Sequence, residues 1–74
     1  MNVVWTDVSG SERIVAMAFD AKDGAIFVRF TDGVEWRYES CSQEEYEQFA
    51  DSSQSKGKYI HQVLNKKLHS KLIY

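Results

Sequence analysis

The sequence predicts an α+β fold: a three-stranded antiparallel β-meander followed by two helices packed on one face (βββαα), with room for a short N-terminal edge strand. Three observations predict it. VEWRYE, residues 34–39, alternates strictly between Val34, Trp36 and Tyr38 on one side and Glu35, Arg37 and Glu39 on the other, the pattern of a half-buried strand. Two further runs rich in β-formers, RIVAMAFD and AIFVRF, are punctuated by the turn signals AKDG and TDG. Ser42-Gln43-Glu44-Glu45 then carries the serine-to-glutamate spacing of a helix capping box.

Taken in order, the first ten residues are the least patterned. Val4 and Trp5 either add an edge strand or cover the open sheet face, where Ile14, Ala16 and Phe27 would otherwise meet water. The first strand closes at Asp20, and a four-residue loop from Ala21 to Gly24 places Val15, Met17 and Phe19 on the core face. The second hairpin can be registered from its apolar residues. A two-residue Asp32–Gly33 turn would align Val34, Trp36 and Tyr38 with Thr31, Arg29 and Phe27. A three-residue loop, Thr31–Asp32–Gly33, aligns them with Phe30, Val28 and Ile26. The second register wins, with Gly33 left-handed in a bulge, because a one-residue slip would expose the core face. Arg29 then stands opposite Glu35 as a cross-strand ion pair.

The capping box starts a short helix ending near Ser52, with Glu44, Glu45 and Glu47 in its first turns, where the helix dipole favours negative charge. Tyr46, Phe49 and Ala50 fall on one side of it. A second helix is expected from about Lys56 to Leu68, with Tyr59, Ile60, Val63 and Leu64 as its apolar arc. Three strands cannot bury an apolar face alone, so both helices should lie on the sheet.

The chain has 74 residues, near the lower limit for a core that folds unaided, and is read as one domain spanning 1–74. With 43% hydrophobic and 14% aromatic residues it is too apolar to be disordered. One cysteine, Cys41, cannot close an intramolecular disulfide, which favours a reducing compartment. No apolar run approaches a membrane span and MNVVWTDVSG lacks the features of a signal peptide, so a cytoplasmic location away from membranes is expected. The net charge of −2 is unevenly spread. Residues 1–55 carry four basic and eleven acidic side chains, a balance of −7, whereas residues 56–74 carry five lysines and no acid, +5. Such asymmetry suggests an anionic partner at the basic end, or attraction between the two halves.

Val8-Ser9, Ser11, Ile14 and the Ala18-Phe19-Asp20 close of the first strand resemble the opening of the KTSC domain. So do Ile26, Val28 and Phe30, then Gly33, Trp36 and Tyr38, then Ser55, Gly57 and Tyr59. The similarity covers roughly residues 8 to 68. The family is named for a C-terminal extension of some lysyl-tRNA synthetases and also occurs as small bacterial and phage-type proteins. The resemblance implies a β-meander followed by two helices and a role in binding RNA or another nucleic acid. It implies no catalytic motif. The chain departs from the family where a valine–proline pair usually precedes the first helix, having Cys41-Ser42, and where an asparagine is common at the position of His61.

The residues themselves point to one place. Ser52, Ser53 and Ser55 suit a helix start, and Gly57 allows close approach of a neighbour or ligand. Free N–H groups there, beside Lys56 and Lys58, could hold a phosphate, although a capped helix packed on the sheet explains the same residues. Lys58, His61 and Asn65 share the polar face of the second helix. The expected nucleic-acid surface is therefore Lys56, Gly57, Lys58, His61, Asn65, Lys66 and Lys67, contacting RNA or single-stranded nucleic acid. The alternative is a protein-interaction module of phage or mobile-element type, engaging a host protein through the acidic helix or the aromatic outer sheet face. Catalysis is not expected: Cys41 at the strand-to-helix junction reads as a buried thiol, and no carboxylate pair is positioned for acid–base work. His61 and His69 lie eight apart without neighbouring ligands, so neither a metal nor a cofactor is expected.

Overall fold

Among the described residues, five antiparallel strands form one sheet in the order β1-β2-β3-β4-β5, with two helices across one face. The computed structural model describes residues 3–51, 53 and 55–72. The strands are β1 (Thr6–Asp7), β2 (Ile14–Asp20), β3 (Ala25–Phe30), β4 (Glu35–Tyr38) and β5 (His69–Lys71). The helices are α1 (Gln43–Ala50) and α2 (Lys56–Gln62), and a 3-10 turn, Leu64–Lys66, follows α2.

Both hairpins close as the apolar pattern requires. Asp20 pairs with Ala25 across the four-residue loop Ala21–Gly24. In the second hairpin Val28 stands opposite Trp36 and Arg29 opposite Glu35. The Phe30 N–H donates to the Val34 carbonyl at 2.9 Å, enclosing three loop residues, and Gly33 takes φ +87°. Arg29 and Glu35 form the cross-strand ion pair, and Glu35 is buried.

The first strand departs from simple alternation. A bulge between Ile14 and Ala16 pairs Ile14 with Phe30 and Ala16 with Arg29, so Val15 is the extra residue. Ile14 turns into the helix-side core with no exposed surface, while Val15, expected in the core, is 39% exposed. Met17 and Phe19 do face the helices, and Phe19 stacks on Tyr46 at 5.3 Å between ring centroids.

Helix α1 starts where the capping box predicts. The Ser42 Oγ accepts from the Glu45 N–H at 3.1 Å, and the Glu45 carboxylate accepts from the Ser42 N–H at 2.9 Å. Phe49 is completely buried and packs on Tyr59 at 5.5 Å; truncating such a side chain costs about 3–5 kcal/mol. The α1 end lies at Ala50, and Ser52 is outside the described residues.

Two corrections concern the chain ends. The sheet has five strands rather than three with an optional edge, and the second helix stops at Gln62 rather than continuing to Leu68. The cause is the outer edge of β4, whose backbone groups need partners. β5 supplies them: the Glu39 N–H donates to the Leu68 carbonyl and the Leu72 N–H to the Glu35 carbonyl, each at 2.8 Å. At the opposite edge Thr6 and Asp7 pair with Met17 and Ala16. The other sheet face is covered by Val3, Trp5 and Leu72 over Ala18, Ala25 and Phe27, so the cover expected of Trp5 exists. Trp5 meets Phe27 edge-on at 6.1 Å, and the Arg29 guanidinium lies 4.4 Å from the Trp5 ring centre.

Candidate binding site

The start of α2 is where sequence chemistry and geometry meet. Ser55 holds extended backbone geometry as the N-cap, and its Oγ accepts from the Lys58 N–H at 3.4 Å. Just before it, the Asp51 carboxylate accepts from the Ser53 N–H at 2.9 Å and from the Ser53 hydroxyl at 2.8 Å, closing the tight connection from α1. Tyr59 and Ile60 are buried beneath α2, and the Tyr59 hydroxyl bonds the Gln48 side chain at 3.1 Å. The helix is thereby fixed with one face inward.

The seven residues expected to meet nucleic acid separate into three groups. Lys58, His61, Asn65 and Lys66 are all exposed. Helical spacing sets Lys58 and His61 on the side away from the core, and the 3-10 turn carries that line to Asn65 and Lys66. Lys56 and Lys67 are instead turned toward the protein. The Lys56 Nζ donates to the Asp51 carbonyl at 3.3 Å and sits 5.6 Å from the Phe49 ring centre, and burial pushes its amine below the ordinary lysine range. The Lys67 Nζ donates to the Ser40 carbonyl and pairs with the Glu45 carboxylate, both at 2.8 Å. These two lysines tie the α1 region together.

Gly57, half-buried, forms the third group. Its Cα faces the side chain of Arg13, whose Cδ would stand 3.4 Å from a β-carbon placed at 57. Arg13 is the residue that the sequence reading missed. By sequence it belongs to the acidic half, but the fold carries it from just before β2 to the start of α2. Arg29 and Arg37 each pair with a carboxylate; Arg13 has no ion pair or side-chain hydrogen bond among the described residues.

Beside Arg13 lies a cavity of about 730 Å³ between the segment 6–13 and residues 53 and 55–57, lined also by Met17 and Ala50. A smaller one of about 350 Å³ lies on the other side, against Phe30 and Trp36. The Val8-Ser9 and Ser11 stretch and the Ser55 and Gly57 stretch, far apart in sequence, line the larger cavity together.

Other candidate chemistry is placed elsewhere. Cys41 is buried, its S–H lies 3.4 Å from the Tyr38 and Glu39 carbonyls, and burial raises its thiol pKa, which suits a packed side chain rather than a nucleophile. Among the described residues no three His, Cys, Asp or Glu side chains gather as a metal site, and no helix is long and apolar enough to cross a membrane. The aromatic outer sheet face, one candidate protein surface, is covered by the chain's own Trp5 and Leu72.

A family model for the KTSC domain matches residues 10–67. The fold is similar to the crystal structure of a KTSC domain protein from Yersinia pestis, with a TM-score of 0.86, 23% sequence identity, and coverage of 97% of this chain and 100% of that one. No curated protein matches the chain.

Proposed function

The chain belongs to the KTSC domain family, and we propose that it acts as a non-catalytic module that binds RNA or another single-stranded nucleic acid along the exposed side of α2. One observation carries this reading: Arg13, Lys58 and Lys66 have no ion pair among the described residues, while exposed His61 and Asn65 lie along the same helical segment. Cations of this kind contact phosphates, and an exposed imidazole and amide offer stacking and hydrogen bonds to bases. The footprint is small. Glu44 and Glu47 are exposed on α1, and the net charge is −2, so a long polyanion would be repelled beyond a few nucleotides.

The test is a fluorescence-anisotropy titration of a short labelled single strand at low salt, with the native protein and Lys58→Glu. Binding by the native protein and a clear loss in the variant support the reading; equal affinity of the two rejects the α2 surface.

A second reading has its own observation. Leu68 is 79% exposed beside β5, an edge strand whose outer side has no strand partner among the described residues. An extended peptide from a protein partner could add to that edge. Co-purification from cells, sorted into RNA and protein, separates the two.

A further inference from the structure

The charges of the larger cavity are arranged unlike those of a groove that follows a phosphate backbone. Its wall carries one guanidinium, Arg13, and two carboxylates, Asp7 and Glu12. None of the three has an ion pair among the described residues. Lys56, the other cation on the wall, is already committed to the Asp51 carbonyl and the Phe49 ring. The volume, about 730 Å³, falls within the range that holds one small ligand. Met17, which belongs to the core, and Ala50 are the apolar residues that line it with Val8.

This pattern suits a ligand with one anionic group, adjacent hydroxyls and a flat apolar part. From it we infer that the cavity takes a single nucleoside-monophosphate unit, as the terminal unit of a bound strand; the inference rests on the nucleic-acid reading above. Arg13 pairs with the phosphate through its fork of N–H donors. Asp7 and Glu12 accept from the sugar hydroxyls, and the base lies over Met17. The same two carboxylates repel a second phosphate, so an end is preferred to the interior of a strand. Arg13 and Gly57 both line the cavity and lie against each other, and this joins the end site to the start of α2.

The experiment follows amide NMR shifts of the full chain with adenosine 5′-monophosphate, adenosine and inorganic phosphate. It also measures affinity for two identical single-stranded oligonucleotides, one with a terminal 5′-phosphate and one without. The monophosphate should shift amides in 6–13 and 55–57 and bind about tenfold or more tightly than adenosine or phosphate alone. The phosphorylated oligonucleotide should bind more tightly than its partner. Arg13→Gln should abolish that preference, and Asp7→Asn with Glu12→Gln should reduce it. Equal affinity for the two oligonucleotides, with no cavity amide shifted by the monophosphate, overturns the end site and leaves the strand reading intact. Cavity shifts with the monophosphate but no oligonucleotide binding uphold the cavity as a mononucleotide site and overturn the strand reading. Silence with every probe overturns both.

Discussion

Gly57 lies against the stem of Arg13, and a β-carbon at 57 would stand 3.4 Å from Arg13 Cδ. That distance is an ordinary van der Waals contact, so alanine fits, and it removes the flexibility of a glycine inside a helix. Gly57→Ala is predicted to leave stability unchanged or raise it by about 0.5–1 kcal/mol. Gly57→Val adds branches that must displace Arg13, and should weaken oligonucleotide binding more than it weakens the fold. Chemical denaturation and anisotropy on the two variants check this; a strongly destabilised alanine variant would show that the contact is tighter than described.

A harsher outcome is expected at Gly24. Its φ is +66°, and a β-carbon would lie 2.9 Å from the Cys41 carbonyl oxygen, while the Gly24 carbonyl accepts from the Cys41 N–H at 2.8 Å. The left-handed conformation alone costs about 1–2 kcal/mol for a residue with a β-carbon. Gly24→Ala should exceed that, because backbone must move as well. Gly33→Ala, with φ +87° but nothing within 4 Å, should cost less. Urea midpoints that rank the two the other way would contradict this packing of the first hairpin against the α1 entry.

Ser42→Ala removes one half of the capping box and should destabilise by about 1 kcal/mol. An unchanged denaturation midpoint would mean that the cap contributes nothing.

These features differ in how legible they were in the sequence. The second hairpin and the capping box are local, and apolar matching or residue spacing suffices to find them. The bulge at Val15 was not legible, because Val15 and Ile14 are equally apolar and only pairing with β3 decides which one turns inward. β5 was hidden for a different reason. His69-Ser70-Lys71 has no strand-like pattern and all three residues are exposed; it is a strand because β4 needs a partner. The candidate site was partly visible: Lys58 and His61 lie outward as helical spacing requires, and Asn65 and Lys66 are exposed on the 3-10 turn that replaces the rest of the expected helix. Lys56 and Lys67 do not lie outward, since their partners at Asp51, Ser40 and Glu45 are set by how α1 packs. Arg13 is more than forty positions from the helix it joins, beyond the reach of any local pattern.

Glu45 links the cap to Lys67. The Lys67 ammonium and then the Ser42 N–H hold its carboxyl below the ordinary carboxylate range, outweighing the opposing effect of burial. A carboxylate whose folded pKa is depressed contributes stability above its unfolded pKa and loses it as pH falls through the folded value. Stability should therefore decline on acidification through the carboxylate range, and Lys67→Met should make that decline shallower. Denaturation midpoints measured from neutrality downward check this; identical pH profiles for native protein and variant would remove the ion pair from the account.

The salt dependence of binding tests most directly which cations meet nucleic acid. Each phosphate contact to a single strand contributes about 0.7 to the slope of log affinity against log salt, so Arg13, Lys58 and Lys66 together predict a slope of roughly −2. Replacing all three by glutamine should bring the slope close to zero, whereas Lys67→Met should lower stability and leave the slope unchanged. A native slope near zero, or one that falls with Lys67→Met and not with the triple variant, would contradict the assignment.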